Sequence, residues 1–327
     1  MVKESKEVDV IIINYNHENF IEEAIESVLN QSYNNIRKII IADDGSKDNS
    51  QSIISKYAIE HPEIEPILAK ENKGIAHNVN RALRRVKAEY VASMAGDDLM
   101  LPGKIEKQVE YLNNNLDVVV CSHDMDVFNS IAGRSMGRFS ELINRKKING
   151  KLGVEYLFDP GMAQCPSSYM YRKDAIPKQG VDTRLKLLND VIFDVDVMMN
   201  GKLGYIDEIL GIYRKHANNV TSSDYSINYG FEEFLIAYSI ITSKYPELYI
   251  HIKRAKSVIY LEKVVEYLKK GNKDKAKNLS KVLLLEGNYT KGTLAYLFSS
   301  IISPDLFNKF YESKYKDKLT RIFYRSI

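Results

Sequence analysis

The sequence of 327 residues predicts an α/β fold, in which a mostly parallel sheet flanked by helices is followed by a C-terminal α-helical region. Between residues 8 and 121, short β-branched runs alternate with segments of helical period, which is typical of a parallel sheet covered by helices. The runs are almost continuously apolar, as strands buried on both faces tend to be. With 44% hydrophobic residues, the chain can also build a sizeable core.

Each element of this sheet has its own signal in the sequence. The first helix is indicated by apolar residues that fall on one face from Phe20 to Leu29, and a later helix by those from Ile75 to Val86. Pro102 marks the start of a third helix, because a proline in the first turn needs no N–H donor. The predicted strands are 8–13, 36–42, 64–69, 89–95 and 117–121.

The second half of the sequence has a different organisation. Residues 122–189 mix short apolar runs with Gly and Pro, as connecting and binding loops do. A helix and a strand are predicted within 189–216, and from Tyr225 onward the period is helical. The net charge is −5 over residues 1–224 and +8 over 225–327. We therefore predict two domains, a sheet domain over 1–224 and a basic, Tyr- and Lys-rich helical region over 225–327.

Composition limits the classes of protein that fit this sequence. No apolar stretch approaches the ~20 residues that a membrane span needs, and the polar start has no signal-peptide core. Cys121 and Cys165 are too few for a disulfide framework or a four-ligand zinc site. We expect a cytoplasmic protein.

Polar residues follow three of the predicted strands. In an open parallel sheet, ligands bind beyond the carboxyl ends of the strands. Adjacent carboxylates at such an edge can accept from a base N–H or a ribose hydroxyl, and they can hold a divalent cation that bridges a diphosphate. Turn chemistry explains each segment taken alone, but together at successive strand ends they favour a binding site. The segments are Asn14-Tyr15-Asn16, Asp43-Asp44-Gly45-Ser46 and Gly96-Asp97-Asp98.

Several ordered segments resemble the family-2 glycosyltransferases over residues 8–220. The family's opening strand, turn, helix and second strand are similar to VDVIIINYNHENFIEEAIESVLNQSYNNIRKIIIADDGSKDNS. Its Asn-x-Gly segment is similar to ENKGIAHNVNRAL, and the strand that leads into its Asp-x-Asp-type site is similar to EYVASMAGDDLMLPGKIEKQ. The resemblance implies a GT-A (Rossmann-like) fold and inverting transfer of a sugar from a nucleotide diphosphate sugar.

The resemblance also assigns residues to the donor site. Tyr15 would stack near the nucleobase, Asp44 would accept from a pyrimidine imide N–H, and Asp97 would lie by the ribose. This favours a uracil or thymine nucleotide, and hence a UDP- or dTDP-sugar. The full set implied for nucleotide-sugar binding is Tyr15, Asn16, Asp44, Gly74, Asn78 and Asp97.

A metal ion and a general base complete the implied site. Asp98, joined by His216, would hold Mn²⁺ or Mg²⁺, because hard cations prefer carboxylate oxygen. Asp190 matches the family's base, although Asn189 stands where the family usually has Glu. Direct displacement needs such a base, because the acceptor hydroxyl loses its proton as it attacks.

Further residues have weaker support. Asp194 and Asp196 are weaker candidates for the base, and we expect them to face solvent. Arg214, Lys73 and His77 could meet the diphosphate, with Lys73 favoured as an ordinary surface residue. The resemblance adds Cys165, Ser167 and Ser168 as acceptor contacts.

The predicted function is a metal-dependent inverting transfer of one sugar to an acceptor hydroxyl of a glycan or lipid-linked glycan. The sequence has no Trp and so lacks the Gln-x-x-Arg-Trp motif of processive relatives, which predicts one sugar per event. Two alternatives remain: a catalytically silent nucleotide-binding or scaffold protein, and a sugar nucleotidyltransferase. The second would need a Gly-rich, basic phosphate loop after the first strand, where the sequence has NYNHEN.

The C-terminal segment 306–327 combines six Lys/Arg, two acidic residues and a partly apolar face. Basic amphipathic helices of this kind bind membrane surfaces or acidic partners, so peripheral contact with an anionic inner membrane face is one prediction. The alternative is a helix that packs on the sheet domain with its lysines in solvent. Nucleic-acid binding is not expected, because +8 over the whole region 225–327 is a weak basic footprint.

Overall fold

A computed structural model of the chain describes residues 6–143, 148, 150–159, 165–219 and 224–286, together with 292, 293, 295, 296, 299 and 300. The basic segment 306–327 lies outside these residues. The chain divides into two compact units, one of Met1–Leu157 and Gly161–Gly230, the other of Phe158–Pro160 and Phe231–Ile327. The division lies near the boundary predicted at 224.

The first unit is built around a single mixed sheet. All five predicted strands are present, and the last extends from 121 to Asn129 because it pairs with a long later strand. Among the described residues the strands are β1 Val8–Asn14, β2 Ile36–Asp43, β3 Ile64–Leu68, β4 Tyr90–Ala95, β5 Leu99–Met100, β6 Val118–Asn129, β7 Arg134–Arg138, β8 Met170–Arg172 and β9 Lys202–Lys215.

Helices cover this sheet, and three further helices follow the last strand in the chain. In the first unit they are α1 Ile21–Leu29, α2 Ser50–Glu60, α3 Ile75–Leu83, α4 Lys104–Asn114, α5 Phe139–Leu142 and α6 Asn189–Met198. Three more helices follow, α7 Asp224–Lys244, α8 Tyr249–Lys269 and α9 Lys273–Leu285, which confirms a helical C-terminal region. Within the described part of the chain, no helix is long and apolar enough to cross a membrane.

The strand order is β3-β2-β1-β4-β8-β6-β9-β5, with β7 beside β6. The strands β3, β2, β1 and β4 are parallel, and so are β6 and β9. The short strand β8 lies antiparallel between β4 and β6, while β5 and β7 are antiparallel to their neighbours. The predicted mostly parallel sheet is therefore confirmed, with antiparallel pairing confined to the short strands.

The apolar runs are explained by helices on both faces of the sheet. Val10 and Ile12 of β1 lie in one buried cluster with residues of α1, α2 and α4. Ile11, between them, points to the other face and lies in a second cluster with Ala82 of α3. Because successive side chains point to opposite faces, a strand covered on both sides must be apolar at every position.

The register places three strand ends side by side. Asn14 at the end of β1 is opposite Asp43 of β2, and Ile13 is opposite Ala95 of β4. Asn14 Nδ2 also donates to Asp43 Oδ2 at 2.8 Å, which joins the first two ends directly. The polar segments that follow β1, β2 and β4 consequently meet at one edge of the sheet, as the sequence predicts.

Gly45 gives a test of how tightly this edge is built. Its φ is +74°, and a Cβ there would lie 2.6 Å from the backbone carbon of Glu71. We expect Gly45→Ala to lower the free energy of unfolding by more than about 2 kcal/mol in chemical denaturation, since strain and a backbone clash add. Gly133→Ala is the matched control, because φ is +61° and nothing lies within 4 Å of the added Cβ. Equal losses for the two variants would contradict a close approach at Gly45.

Candidate active site

The loop after β1 is fastened to the loop after β2. Asn16 has a φ of +56°, a conformation that Asn tolerates better than most residues. Its N–H donates to Ser46 Oγ at 2.8 Å, and its Oδ1 accepts from Lys47 N–H at 2.8 Å. Tyr15, beside it, is 39% exposed. The arrangement holds an aromatic ring in solvent at the strand edge, where a flat ligand can stack on it.

Asp44 is buried and is held by the segment before α3. Lys73 N–H donates to Asp44 Oδ1 at 3.0 Å, and Gly74 N–H donates to Oδ2 at 2.7 Å. Gly74 reaches this position with a φ of +94°. An ionised carboxylate has about four acceptor sites, so these two donors fix its position and leave capacity for a ligand N–H.

The side chain of Asn78 is bonded to the backbone at the ends of two strands. Its side chain is buried, and its Nδ2 donates to Ala42 O at 2.7 Å and to Asn14 O at 3.3 Å. These bonds tie α3 to the ends of β1 and β2. The predicted donor-binding role of Asn78 stays a prediction, since its amide N–H groups already have partners in the strands.

Asp97 lies in a cluster with two histidines. Its Oδ2 is 3.0 Å from His216 Nε2 and 3.7 Å from His17 Nε2, and Asn219 Nδ2 donates to it at 3.2 Å. The ring of Phe20 stacks on His216 with centroids 4.5 Å apart. One ligand atom from each of His17, Asp97 and His216 lies within 4.8 Å of the others, so the three could hold a metal ion.

The protonation of this cluster suits metal binding. Burial lowers the pKa of His17, which keeps its imidazole neutral and free to act as a ligand near neutral pH. Burial alone would raise the pKa of Asp97, but the hydrogen bond to His216 and the electrostatic interactions with His17 and His216 lower it below its usual value. A neutral imidazole beside an ionised carboxylate is the state in which both groups can donate electron pairs to a cation.

Asp98 points away from this cluster, into the interior. It is 1% exposed, and its Oδ2 accepts from Ser167 Oγ at 2.5 Å, while Oδ1 accepts from the N–H of Arg214 at 3.0 Å. Burial and the neighbouring charge of Asp97 raise its pKa to about 8. Both oxygens of Asp98 are thus bonded to the protein, one to Ser167 and the other to Arg214.

Arg214 is an internal side chain rather than a free cation. Its Nε donates to Asp97 O, its NH1 donates to Glu23 Oε2 at 2.5 Å, and its NH2 donates to Phe20 O at 3.0 Å. It is 5% exposed. The guanidinium fixes the loops that carry His17 and Asp97, which leaves it little freedom to meet a diphosphate.

The predicted acceptor residues lie in a buried turn next to Asp98. Ser167 Oγ accepts from Ala95 N–H at 3.0 Å as well as donating to Asp98. Ser168 Oγ donates to Cys165 O at 2.7 Å, within the turn itself. All three side chains are buried, so their predicted contact with an acceptor stays a prediction.

Topology places Asp190 at the same edge of the sheet as the aspartates after β4. Helix α6 ends at Met198, just before Lys202, which lies opposite Val118 at the start of β6. The helix therefore runs antiparallel to the parallel strands, and its first turn, with Asp190, lies at their carboxyl ends. Burial raises the pKa of Asp190 to about 6.

The expectation that Asp194 and Asp196 face solvent is wrong. Asp194 Oδ1 accepts from Tyr171 Oη at 3.1 Å, and burial with the charge of Asp190 raises its pKa well above the usual value. Asp196 is 7% exposed and accepts from Gln179 Nε2 at 3.3 Å. The helix is buried on more than one face, because β8 and the loop before α6 both pack against it.

Comparison with known proteins identifies the family. The family described as Glycosyl transferase family 2 matches residues 9–180, which is more than half of the chain. The chain belongs to this family. This membership confirms the family resemblance that the sequence shows.

Relatives of similar sequence agree with this membership. An uncharacterized protein of Mycobacterium tuberculosis is 30% identical over 225 residues, which cover 67% of this chain and 62% of the relative. An uncharacterized glycosyltransferase of Nostoc sp. is 31% identical over 225 residues, covering 66% of this chain and 67% of the relative. The match to the mycobacterial protein thus spans less than two thirds of its length.

Solved structures share the fold. TarS 1–349 of S. aureus, in complex with UDP-GlcNAc, has a TM-score of 0.64 at 16% identity, with 95% of this chain and 92% of that chain covered. The mannosyltransferase PcManGT of Pyrobaculum calidifontis, in complex with GDP-Man and Mn²⁺, has a TM-score of 0.52 at 16% identity, with 95% and 89% covered. The chain adopts the GT-A type of α/β fold that the sequence predicts.

Two residues of the site escape sequence reasoning. His17 is one of five histidines with no motif support, and only its position one residue after the Asn14-Tyr15-Asn16 segment hints at the strand edge. Lys104, the first residue of α4, is fully buried. The burial of Lys104 depends on how the preceding turn folds, and no local sequence pattern predicts it.

His17 provides a direct test of the metal cluster. We expect His17→Gln and His216→Gln each to weaken Mn²⁺ binding by at least about tenfold, measured from the free Mn²⁺ signal in electron paramagnetic resonance. His61→Gln is the control, since that histidine lies by Glu63 on the surface. Unchanged Mn²⁺ affinity in His17→Gln would remove His17 from the ligand set.

Proposed function

We propose that this glycosyltransferase carries out metal-dependent, inverting transfer of one sugar from a UDP- or dTDP-sugar to an acceptor hydroxyl of a glycan or lipid-linked glycan. The observation that carries the proposal is the group of acidic, aromatic and imidazole side chains at one edge of the sheet. Tyr15, Asp44, Asp97 and His216 all follow the carboxyl end of a strand there. Structural neighbours are described in complex with UDP-GlcNAc, UDP or GDP-Man.

The base of the nucleotide would lie between Tyr15 and Asp44. A pyrimidine imide N–H can donate to the oxygens of Asp44, whose position is fixed by Lys73 N–H and Gly74 N–H. The exposed ring of Tyr15 offers the stacking surface. Adenine and guanine lack an imide flanked by two carbonyls, so this pairing supports uracil or thymine.

The cation site is proposed at Asp97, with His17 and His216. The resemblance assigns the cation to Asp98 and the ribose to Asp97, but the two oxygens of Asp98 are bonded to Ser167 and to Arg214 N–H. A mixed set of imidazole and carboxylate supports Mn²⁺ over Mg²⁺, which prefers oxygen ligands. The bound cation would offset the charge that develops on the departing nucleoside diphosphate.

Asp190 is proposed to take the proton of the attacking hydroxyl. A single displacement with one base gives inversion at the anomeric carbon, and the first turn of α6 presents a carboxylate at the correct edge. Burial raises the pKa of Asp190 to about 6, closer to the operating pH than an exposed carboxyl, which is the usual tuning for a general base. The non-processive mode is proposed from the absence of Trp in the sequence.

A panel of nucleotide sugars tests the donor assignment. In the presence of Mn²⁺ we expect slow hydrolysis of UDP- or dTDP-sugars, faster than that of GDP-sugars, and loss of the reaction with a chelator. Hydrolysis is followed as nucleoside diphosphate released. If no nucleotide sugar in the panel is bound or hydrolysed, the proposed function is wrong. Binding without hydrolysis would support the alternative of a catalytically silent nucleotide-binding protein.

The base is tested by Asp190→Asn. We expect transfer to fall by at least about 100-fold while donor affinity stays within about twofold, because the lost group acts only as the proton moves. The control is Asp174→Asn, an exposed carboxylate after β8. Full activity in Asp190→Asn would show that Asp190 is not the general base.

The pH profile gives an independent check on the same residue. A base works only when deprotonated, and burial raises the pKa of Asp190 to about 6, so kcat should rise with pH through about 6. The titratable groups that act on Asp190 are the carboxyl of Asp194, one turn further along α6, and the hydroxyl of Tyr171 on β8. Both pKa values are raised, so both groups stay neutral in this range. A rising limb centred near pH 4 would contradict a base whose pKa is raised.

A further inference from the structure

We propose that Asn80 is a positioning residue of the candidate active site, whose side chain anchors the segment 177–188 and so holds the first turn of α6, with Asp190, at the donor edge. The inference rests on the proposed function, in which Asp190 takes the proton of the attacking group. Asn80 acts through the segment 177–188, without touching the donor.

The side chain of Asn80 makes two hydrogen bonds with the backbone of one residue, Val181. Asn80 Nδ2 donates to Val181 O at 2.8 Å, and Asn80 Oδ1 accepts from Val181 N–H at 2.7 Å. The two residues are 101 positions apart, so the pair joins α3 to the chain just before α6. Because a carboxamide offers both a donor and an acceptor, it fixes the orientation of Val181 as well as its position.

Gly180 permits this close approach. Its φ is +72°, and a Cβ there would lie 2.1 Å from Asn80 Oδ1. Its N–H donates to Pro177 O at 2.8 Å, which closes a turn directly before Val181. A side chain at position 180 would be strained in this conformation and would displace the amide of Asn80.

The segment that Asn80 anchors is attached to α6. Gln179 Nε2 donates to Asp196 Oδ2 at 3.3 Å. Val181 lies in one buried apolar cluster with Phe193 and Val197 of α6. Because α6 has only ten residues, a displacement of the segment also moves its first turn, where the proposed base lies.

Helix α3, which carries Asn80, is also bonded to the strand ends where the nucleotide is proposed to bind. Asn78 Nδ2 donates to Ala42 O at 2.7 Å, and Gly74 N–H, directly before the helix, donates to Asp44 Oδ2 at 2.7 Å. The spacing of residues along an α-helix is fixed. Helix α3 therefore sets the distance between the proposed nucleotide site and the segment before α6.

This arrangement separates the effect of Asn80 on catalysis from its effect on binding. A general base must lie within hydrogen-bond reach of the proton that it takes, and a misplacement of about 1 Å can lower the rate 100-fold. Asp44 and Asp97 are held by bonds that do not involve Asn80. Loss of the Asn80 amide should therefore lower kcat and leave nucleotide affinity unchanged.

Mn²⁺-dependent hydrolysis of a nucleotide sugar gives the first test, with the panel member that wild type hydrolyses fastest and water in place of the acceptor hydroxyl. We expect Asn80→Ala to lower kcat by at least about tenfold, while affinity for UDP stays within about twofold. Asn113→Ala is the matched control. It makes the same change in a half-buried residue of α4 and removes the bond from Tyr90 Oη, at the start of β4. A loss of kcat no larger than that of the control would overturn the proposal.

A double-mutant cycle with Asp190→Asn separates positioning from a general loosening of the fold. If Asn80 acts through Asp190, adding Asn80→Ala to Asp190→Asn should change the residual hydrolysis by less than about twofold. A stabilising bond with no link to the base would give the same fractional loss in both backgrounds. That result would show that Asn80 is not a positioning residue.

Amide hydrogen exchange measures the anchoring directly. In Asn80→Ala, the amides of residues 181–192 should exchange at least about tenfold faster than in wild type, because Val181 N–H loses its acceptor and the first turn of α6 loses its support. Exchange in β1 and β2 should stay as in wild type. Unchanged exchange over 181–192 would mean that Asn80 does not hold this segment.

Gly180→Ala applies the same test from the other partner if Asn80→Ala does not fold. We expect the same loss of kcat with unchanged affinity for UDP, because the added Cβ displaces the amide of Asn80. Gly133→Ala is its control, since φ there is also positive and nothing lies within 4 Å of the added Cβ. Equal kcat in these two glycine variants would contradict the proposal.

The failure of the proposed function and the failure of this inference are distinguishable. If wild type hydrolyses no nucleotide sugar, the proposed function is wrong, and the positioning role of Asn80 is wrong with it. If wild type and Asn80→Ala hydrolyse the donor equally fast, the proposed function stands and only the role of Asn80 is wrong.

Discussion

The site depends on one buried carboxylate, Asp98. Its oxygens accept from the hydroxyl of Ser167 and from the backbone of Arg214, so three segments that are far apart in the sequence converge on a side chain that is 1% exposed. Arg214 in turn donates to Phe20 O and to Asp97 O. A buried carboxyl group is costly unless both of its oxygens have partners, and here those partners join the end of β4 to the end of β9.

The rest of the donor edge follows from parallel pairing. When β1, β2 and β4 pair in register, their carboxyl ends lie side by side, so any polar group placed just after each strand enters the same cleft. Bonds between the loops then fix the details: Asn14 to Asp43, Asn16 to Ser46 and Lys47, and Asp44 to Lys73 and Gly74. Few of these polar groups are left to move, so the edge is preorganised.

The sequence predicts this edge well because strand ends are local signals. Apolar runs ending in Asn, Asp or Gly locate β1, β2 and β4, and the segments after them meet as expected. The sequence predicts less well which side chains become buried when segments far apart in the chain pack together. Asp196 is buried where an exposed helix face was expected, because the Gly180 loop and β8 both cover α6, and Lys104 is buried although its sequence position is that of an ordinary helix start. His17 joins Asp97 only because the β1 loop folds over the end of β4, a contact between residues about 80 positions apart.

Burial favours a higher pKa at both Asp97 and Asp190, but the net shifts of the two carboxyl groups are opposite, and the difference fits the two roles proposed for them. At Asp97 the hydrogen bond to His216 and the electrostatic interactions with both histidines outweigh burial and lower the pKa, which gives an anion suited to a cation. At Asp190 no cation offsets burial, and the pKa rises to about 6, which suits a group that must take up a proton and release it. Two carboxyl groups of the same chemistry thus diverge because one lies among imidazoles and the other at the start of a helix beside Tyr171 and Asp194. The placement of the histidines therefore sets the protonation of Asp97, while no such partner acts on Asp190.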